Sequence, residues 1–458
     1  MFLTLYLKEC KQVLKGLTYY FIIICMALFY FSQLGNTEVV TKPQPGLPSY
    51  GWTVSDDKAV IMEKTLEVFA REYAFNKYYT YPYGFCKKVT LGNRKKAKMG
   101  EILLEVTGLE KEKLDSYLRE HYYKGFDSST SSDTSITISK DAAKDGTGLT
   151  IEQDSGNNST SISVEEASEQ EQEAPADYAT NTTAEALTVK QGMTYENFTE
   201  FMSKADKLLG GGSNYHKDSL QNNAYVQRTY EQALADYKDI IEKDRLTGAY
   251  ARLFCDYIGI VLAILPIFIA VTRFQRDRRA KANEIIFTRK ASSLQIVLSR
   301  YFAMLTMLLL PVFLISLSML IECIVTGSRT GVTIDYLAFP KYILGWLLPT
   351  MMVTTSVGVF FTELTDTAIA IIFQGLWWFI SLMGNKNLTG GYGWNLVPRH
   401  NSLGEYQTYS DNFNTLVTNR ITYTIISIVL IIAAVGIYDL KRKGRLNIRG
   451  KIFTNRKK

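Results

Sequence analysis

Histidine is nearly absent from these 458 residues: His121, His216 and His400 are scattered, so no histidine metal site is expected. Cysteine is scarce as well. Cys10, Cys25, Cys86, Cys255 and Cys323 form no pair at disulfide-framework or zinc spacing, so redox and metal chemistry have no foothold. No G-x-x-x-x-G-K-[ST] loop occurs, nor a G-x-S-x-G, H-E-x-x-H or paired-carboxylate arrangement in a suitable context, and no catalytic residue is expected. The absence that decides most is local. Several windows of about twenty residues carry almost no charge, the length a helix needs to cross a bilayer. A purely soluble protein is thereby excluded. The long polar stretch after the first window excludes a compact transporter with only short loops.

What charge there is has a pattern. The net value of +6 is modest, but Lys8, Lys11 and Lys15 precede the first apolar run. Arg273, Arg276, Arg278, Arg279, Lys281, Arg289, Lys290 and Arg300 lie between the second and third. A basic tail, 441–458, follows the last. Clusters of Lys and Arg beside spans mark the cytoplasmic side, and this placement leaves no reason to invoke nucleic acid.

The apolar runs are Leu17–Leu34, Leu253–Thr272, Tyr301–Val325, Tyr336–Phe361, Thr367–Met383 and Ile421–Tyr438. The first is longer than a signal-peptide core and lacks cleavage-site residues, so it reads as a retained span. Residues before it interleave Phe2, Leu3, Leu5, Tyr6 and Val13 with lysines, an amphipathic helix for the membrane surface. Six crossings put both termini in the cytoplasm of a multi-pass plasma-membrane protein. One link resists the rule: 362–366 is acidic, through Glu363 and Asp366, on the expected cytoplasmic face.

Residues 35–248 form the expected extracellular domain. Met62, Leu66, Phe69 and Tyr73 recur at helical spacing, and further helices are expected over 97–106, 110–123 and 195–209. The last stops at Gly210-Gly211-Gly212, whose alternative as a phosphate loop lacks the lysine. Segment 128–188 is so rich in Ser, Thr, Asp, Glu and Gly that disorder is expected. The stripe Val226, Tyr230, Ala233, Tyr237 and Ile240 suggests one helix running into the second span. The fold class is therefore an α-helical polytopic membrane protein: residues 1–34 hold the surface helix and first span, 35–248 the mainly helical insert, and 249–440 five spans.

The loop 273–300 reads RFQRDRRAKANEIIFTRKASSLQIVLSR and leads straight into a span. It resembles the first cytoplasmic loop of permease subunits of type-2 ABC exporters, which commonly reads E-L-L-L-T-x-P-x-S-R-x-x-I-L-x-G-K. Glu284, Thr288, Ser292 and Ile296 match, with Arg300 in place of the final lysine. Lys290, Ser293 and Ser299 replace the proline, arginine and glycine, and Lys281-Ala282 stands where Gly-Thr is usual. The resemblance implies a coupling helix that docks on a separate ABC ATPase, through Glu284, Thr288, Arg289, Lys290, Ser292 and Arg300. As one helix, Glu284, Thr288 and Ser292 would share a face, with Ile285, Ile296 and Val297 packed on the membrane side.

Polar residues inside spans are functional candidates, which singles out Glu322 in the third span and Gln374 beside Trp377 and Trp378 in the fifth. These are candidates for a substrate pathway. The alternatives are an interfacial carboxylate for Glu322 and an aromatic belt for the tryptophans. The loop 385–420 is expected to cap the outer mouth. The reading as a whole is a permease subunit of an ATP-driven exporter for an amphipathic cargo (peptide, lipid or hydrophobic drug). It works with ATPase subunits and a second permease in membrane lipid, and it binds no cofactor itself; ATP and Mg belong to the partner. A sensor of extracellular antimicrobial peptide or wall precursor is the alternative. A membrane transferase is disfavoured by the lack of clustered acids or histidines.

Overall fold

The computed structural model describes residues 1–81, 86–123, 187–383 and 389–446, without the side chains of Asn283 and Glu284. Almost all of 128–188 and most of the basic tail lie outside them. The chain divides into two compact units, 1–50 with 229–458, and 51–228. Residues 35–50 and 229–248 therefore group with the apolar helices rather than with the insert.

In chain order, α1 (Phe2–Leu14) and α2 (Leu17–Leu34) open the first unit. The second unit comprises β1 (Trp52–Val54), α3 (Lys58–Phe75), β2 (Tyr78–Thr80), β3 (Lys87–Val89), α4 (Asn93–Thr107), α5 (Lys111–Leu118), α6 (Tyr195–Leu209) and β4 (Tyr225–Gln227). Its helices fall where the periodicity puts them. Leu66, Phe69, Met99, Leu103, Phe198, Met202 and Tyr215 form its buried core. Antiparallel β1–β4 pairing joins the first and last residues of the unit, Trp52 opposite Gln227, and β2 pairs with β3. Strands of three residues are too short to leave an alternation signal, which is why a mainly helical reading missed them. Gly210, Gly211 and Gly212 all adopt positive φ, a conformation open to glycine. The Asp206 carboxylate accepts from Ser213 N and Oγ at 2.8 and 2.7 Å, so an acid already occupies the donors that a phosphate would need.

One carboxyl of this unit is unusual. Glu72 accepts from the Tyr215 hydroxyl at 2.5 Å, and burial pushes it from 4.5 up to about 7. The folded unit thus binds this proton more tightly than the unfolded chain does, so stability falls as pH rises through the window from 4.5 to about 7. The shift corresponds to about 3 kcal/mol at most. Glu72→Gln should flatten that slope and leave the unit more stable than native at alkaline pH. Calorimetry of the purified chain across the window checks this; an unchanged slope would mean that Glu72 does not titrate there.

The first unit resumes with α7 (Tyr230–Glu242), α8 (Thr247–Leu262), α9 (Pro266–Arg279), α10 (Asn283–Phe287), α11 (Ser293–Thr330), α12 (Ala338–Tyr342), α13 (Leu348–Thr365), α14 (Ile369–Met383), α15 (Tyr406–Asp411) and α16 (Phe413–Arg442). Among the described residues, five helical stretches, counting α8–α9 and α12–α13 as one each, are long and apolar enough to span a membrane. The helix α14, at 15 residues, covers the remaining expected span. At 1.5 Å per residue it is about 22 Å long, short of a hydrocarbon core of about 30 Å. The expected continuous helix into the second span is corrected. The chain breaks between α7 and α8, where Arg245 and Leu246 take positive φ and Asp244 turns back to Arg252. The second span is itself interrupted at 263–265, because Pro266 has no N–H to continue the ladder. Where α13 crosses α9, Gly358 lets the backbones close: a Cβ there would meet the Ala270 Cβ at 2.6 Å.

Candidate coupling site

The segment that joins α9 to α11 is not one helix. The one-turn α10 ends at Phe287, Thr288 donates to Ile285 O at 2.9 Å, and Ser292 is the N-cap of α11. Ser292 Oγ accepts from Gln295 N at 3.2 Å, and Gln295 Oε1 accepts from Ser292 N at 3.3 Å. This reciprocal capping box competes with helix continuation and starts α11 afresh. A second cause is tertiary. The Arg442 guanidinium donates to Phe287 O at 2.9 Å, Arg289 O at 2.6 Å and Ala291 O at 2.6 Å. Carbonyls of alternate residues converge on one group only when the backbone is looped; in a helix they lie along the axis and meet the N–H four residues on.

The single polar face expected for Glu284, Thr288 and Ser292 is therefore corrected. Glu284 belongs to α10, Thr288 lies just past it, and the Ser292 hydroxyl is committed to the cap. Thr288, Arg289 and Lys290 are exposed together on the loop. Ile285, expected to pack inward, is 64% exposed, whereas Ile296 and Val297 are buried. Arg300 is 4% exposed and cannot meet a partner surface.

Arg300 instead belongs to a buried charge cluster. Glu9 of α1 takes a two-pronged contact from Arg273 of α9, at 2.6 and 2.7 Å, and Arg273 also reaches Asp277 at 3.1 Å. Arg300 pairs with Asp277 and lies 3.5 Å from Glu9. Two guanidiniums thus face two carboxylates, which fastens α1, α9 and α11 together with the directional fork geometry arginine provides. Beside it, Arg278 bonds Glu363 at 2.7 Å and pairs with Asp366, while Lys441 of α16 bonds Asp366 at 2.6 Å. The acidic link that resisted the topology rule is thereby explained: its carboxylates are partners of basic residues from α9 and α16. Asp439 accepts from Ser293 Oγ at 2.8 Å, and Phe287 packs edge-on against Tyr438. Lys441 and Arg442 were read only as markers of the cytoplasmic side, because a basic run beside a span is already accounted for by topology, and the lone Asp439 before them gave no signal.

Away from this cluster, three of the four pathway candidates, Gln374, Trp377 and Trp378, make contacts within the fold. The break before Pro266 frees carbonyls of the second span. Trp378 Nε1 donates to Ile260 O at 2.9 Å, and Gln374 Nε2 to Ala263 O at 2.6 Å. Trp377 packs on Phe373 and Tyr423. Glu322 is exposed on α11. The polar loop before α16 is pinned to α8 by buried pairs. Arg252, itself held by Asp244 through two contacts of 2.8 Å, donates to Leu403 O at 3.2 Å and Gly404 O at 3.3 Å, and Arg399 Nε of the loop reaches both oxygens of the fully buried Asp256 at 3.0 and 3.2 Å. His400 and Asn401 donate their N–H groups to the same carboxylate. Burial and the nearby Arg252 cation lower His400 to about 4. It is therefore neutral at ordinary pH. Its Nε2 faces the Gly404 carbonyl at 3.0 Å, which only accepts, so Nε2 carries the proton and Nδ1 accepts from the Tyr392 hydroxyl. Asp256, and Arg420 of α16, whose buried guanidinium donates to Trp346 O at 3.2 Å and Thr350 Oγ1 at 2.7 Å, were legible in principle, as ionisable residues within or at the edge of apolar windows.

Residues 121–385, more than half of the chain, match the family described as ABC-2 family transporter protein. No curated protein and no solved structure matches. With a helical, polytopic fold and the matched stretch running from the insert through the fifth apolar helix, the chain belongs to the ABC-2 transporter family, as a membrane subunit that works with ABC ATPases.

Proposed function

We propose that this subunit exports an amphipathic cargo, and that the α10 turn with the exposed loop 288–290 is the surface on which the ATPase docks. The observation that carries this reading is the Arg442 clamp. It holds the loop backbone at three points while leaving Thr288, Arg289 and Lys290 free to meet a partner. Arginine and lysine presented in this way suit carboxylates on the ATPase. Closure of two ATPases would move this loop in each of two permeases. Movement would pass to α9, α11, α13 and α16 through the paired charges around Arg273 and Arg278. Apolar, aromatic spans with few free charges favour an amphipathic cargo over an ion.

In this reading both termini and loop 273–300 are cytoplasmic and the insert is extracellular. A variant whose only cysteine is Cys86, which is exposed, should react with an impermeant maleimide in intact cells. A cysteine at Lys290 should not, and the reverse pattern would overturn the topology. Glu284→Arg should insert normally yet lose co-purifying ATPase or its stimulated turnover in lipid, since removing one contact of a desolvated charge pair costs about 2–5 kcal/mol. Wild-type assembly and turnover in that variant would remove α10 from the docking surface. ATP-dependent cargo uptake into inside-out vesicles separates export from sensing.

A further inference from the structure

We propose that a cavity at the bend between α1 and α2 is a headgroup site for an anionic phospholipid. The cavity holds about 110 Å³ and is lined by Gln12, Gly16 and Thr18 from the bend and by Thr272, Arg273 and Arg276 from α9. One water needs only about 10–15 Å³ of such volume, so a larger polar group fits.

Charge bookkeeping gives the sign of the ligand. Arg273 and Arg300 are matched by Glu9 and Asp277. The exposed Arg276 guanidinium makes no hydrogen bond or ion pair among the described residues, and the Gln12 amide and Thr18 hydroxyl are equally uncommitted there. Lys15, exposed at the same bend, adds a second positive charge. A cavity with one unmatched guanidinium and two spare neutral donors takes a phosphate, not a cation.

The surroundings distinguish a lipid from free phosphate. An apolar exposed stripe of α2 begins at the bend with Leu17, 85% exposed, and continues through Phe21, Ile24 and Leu28. These recur at steps of four, three and four, one face of the helix. On α1 the exposed Leu3, Leu7 and Leu14 alternate with Lys8, Lys11 and Lys15, the signature of a helix at headgroup level. A headgroup in the cavity therefore has an apolar track beside it for its acyl chains. Basic pockets at this depth are a recurrent means of holding anionic lipid.

The test is native mass spectrometry of the full chain in detergent with equimolar phosphatidylglycerol and phosphatidylcholine. The wild type should retain phosphatidylglycerol preferentially. Arg276→Ala should reduce that preference about fivefold, the worth of one basic residue near an anionic surface. Arg276→Lys should keep most of it, and an equal loss in both would mean that the arginine serves the fold instead. Arg279→Ala is the control, because Arg279 bonds Gln275 at 2.8 Å and does not line the cavity. A loss in that control as large as in Arg276→Ala would reduce the effect to diffuse surface charge and overturn the site. Absence of any preference in the wild type would do the same. Displacement of bound lipid by excess inorganic phosphate would assign the cavity to a free anion instead.

Discussion

Arg442→Met should release the loop between the second and third spans without unfolding the helices. The substitution keeps an apolar stem of similar length and deletes the guanidinium, along with its bonds to Phe287 O, Arg289 O and Ala291 O. Hydrogen bonds to a charged group contribute about 1.5–3 kcal/mol each. Solvent competes for these because Arg442 is only half-buried, and their energies do not add, so we take about 2–3 kcal/mol as the local loss. Amide exchange at residues 287–291 should then accelerate at least about tenfold, since each 1.4 kcal/mol is a factor of ten. Exchange in the interior of α13 should not change. If the loop is the docking surface, ATPase turnover in the assembled complex should fall with it. Arg442→Lys should rescue little, because an ammonium cannot address three carbonyls from one planar fork. Native exchange rates in Arg442→Met would show that the loop holds itself. Accelerated exchange with undiminished turnover would keep the clamp and remove the coupling role.

The second large effect is expected at the opposite chemistry, a buried ion pair. Arg399→Met leaves the carboxylate of Asp256, which has no solvent exposure, with only the N–H groups of His400 and Asn401. Stranding one member of a buried pair costs about 3–5 kcal/mol, because a desolvated charge has lost its counter-ion. The polar loop should detach from α8, with lower yield of monodisperse protein and faster proteolysis between α14 and α16. A double substitution, Asp256→Asn with Arg399→Gln, should recover part of the loss, since no charge is then stranded. Lys341→Met supplies the comparison. Its 2.7 Å contact with Asp335 involves a lysine side chain 63% exposed, and such pairs are worth about 0–1 kcal/mol. Equal effects in the two single variants would mean that burial of Asp256 is not what makes its pair matter.

Much of the architecture was legible from residue patterning because it depends on local period and length. The helix 195–209 and its glycine stop are read directly from the apolar spacing and from positions that only glycine enters easily. Charge-free windows locate spans for a similar reason: inside a bilayer every backbone group must be bonded within its own helix. The resemblance carried by Glu284, Thr288, Ser292 and Ile296 named the family that the match over 121–385 establishes. What failed was the conformation of that very segment. A spacing of four predicts a shared helix face, yet the face is abolished by Gln295, three residues beyond its last member, and by Arg442, about a hundred and fifty residues away.

Distance along the chain is the general reason. Whether a basic residue beside a span is solvated or clamps three carbonyls depends on which helix ends the fold brings together. Arg273 and Arg276 are separated by a single turn of α9, yet one is buried against Glu9 and the other left unmatched at a cavity. Likewise, that Gln374 and Trp378 bond the carbonyls set free by the break before Pro266 could not be read from their positions in an apolar run. Membership, span order and the helices of the insert are local properties, written in composition and period. The partners of each charge and the shape of the loop between α10 and α11 come from tertiary contact, because pairing energy depends on distance and desolvation, and neither exists until the helices pack.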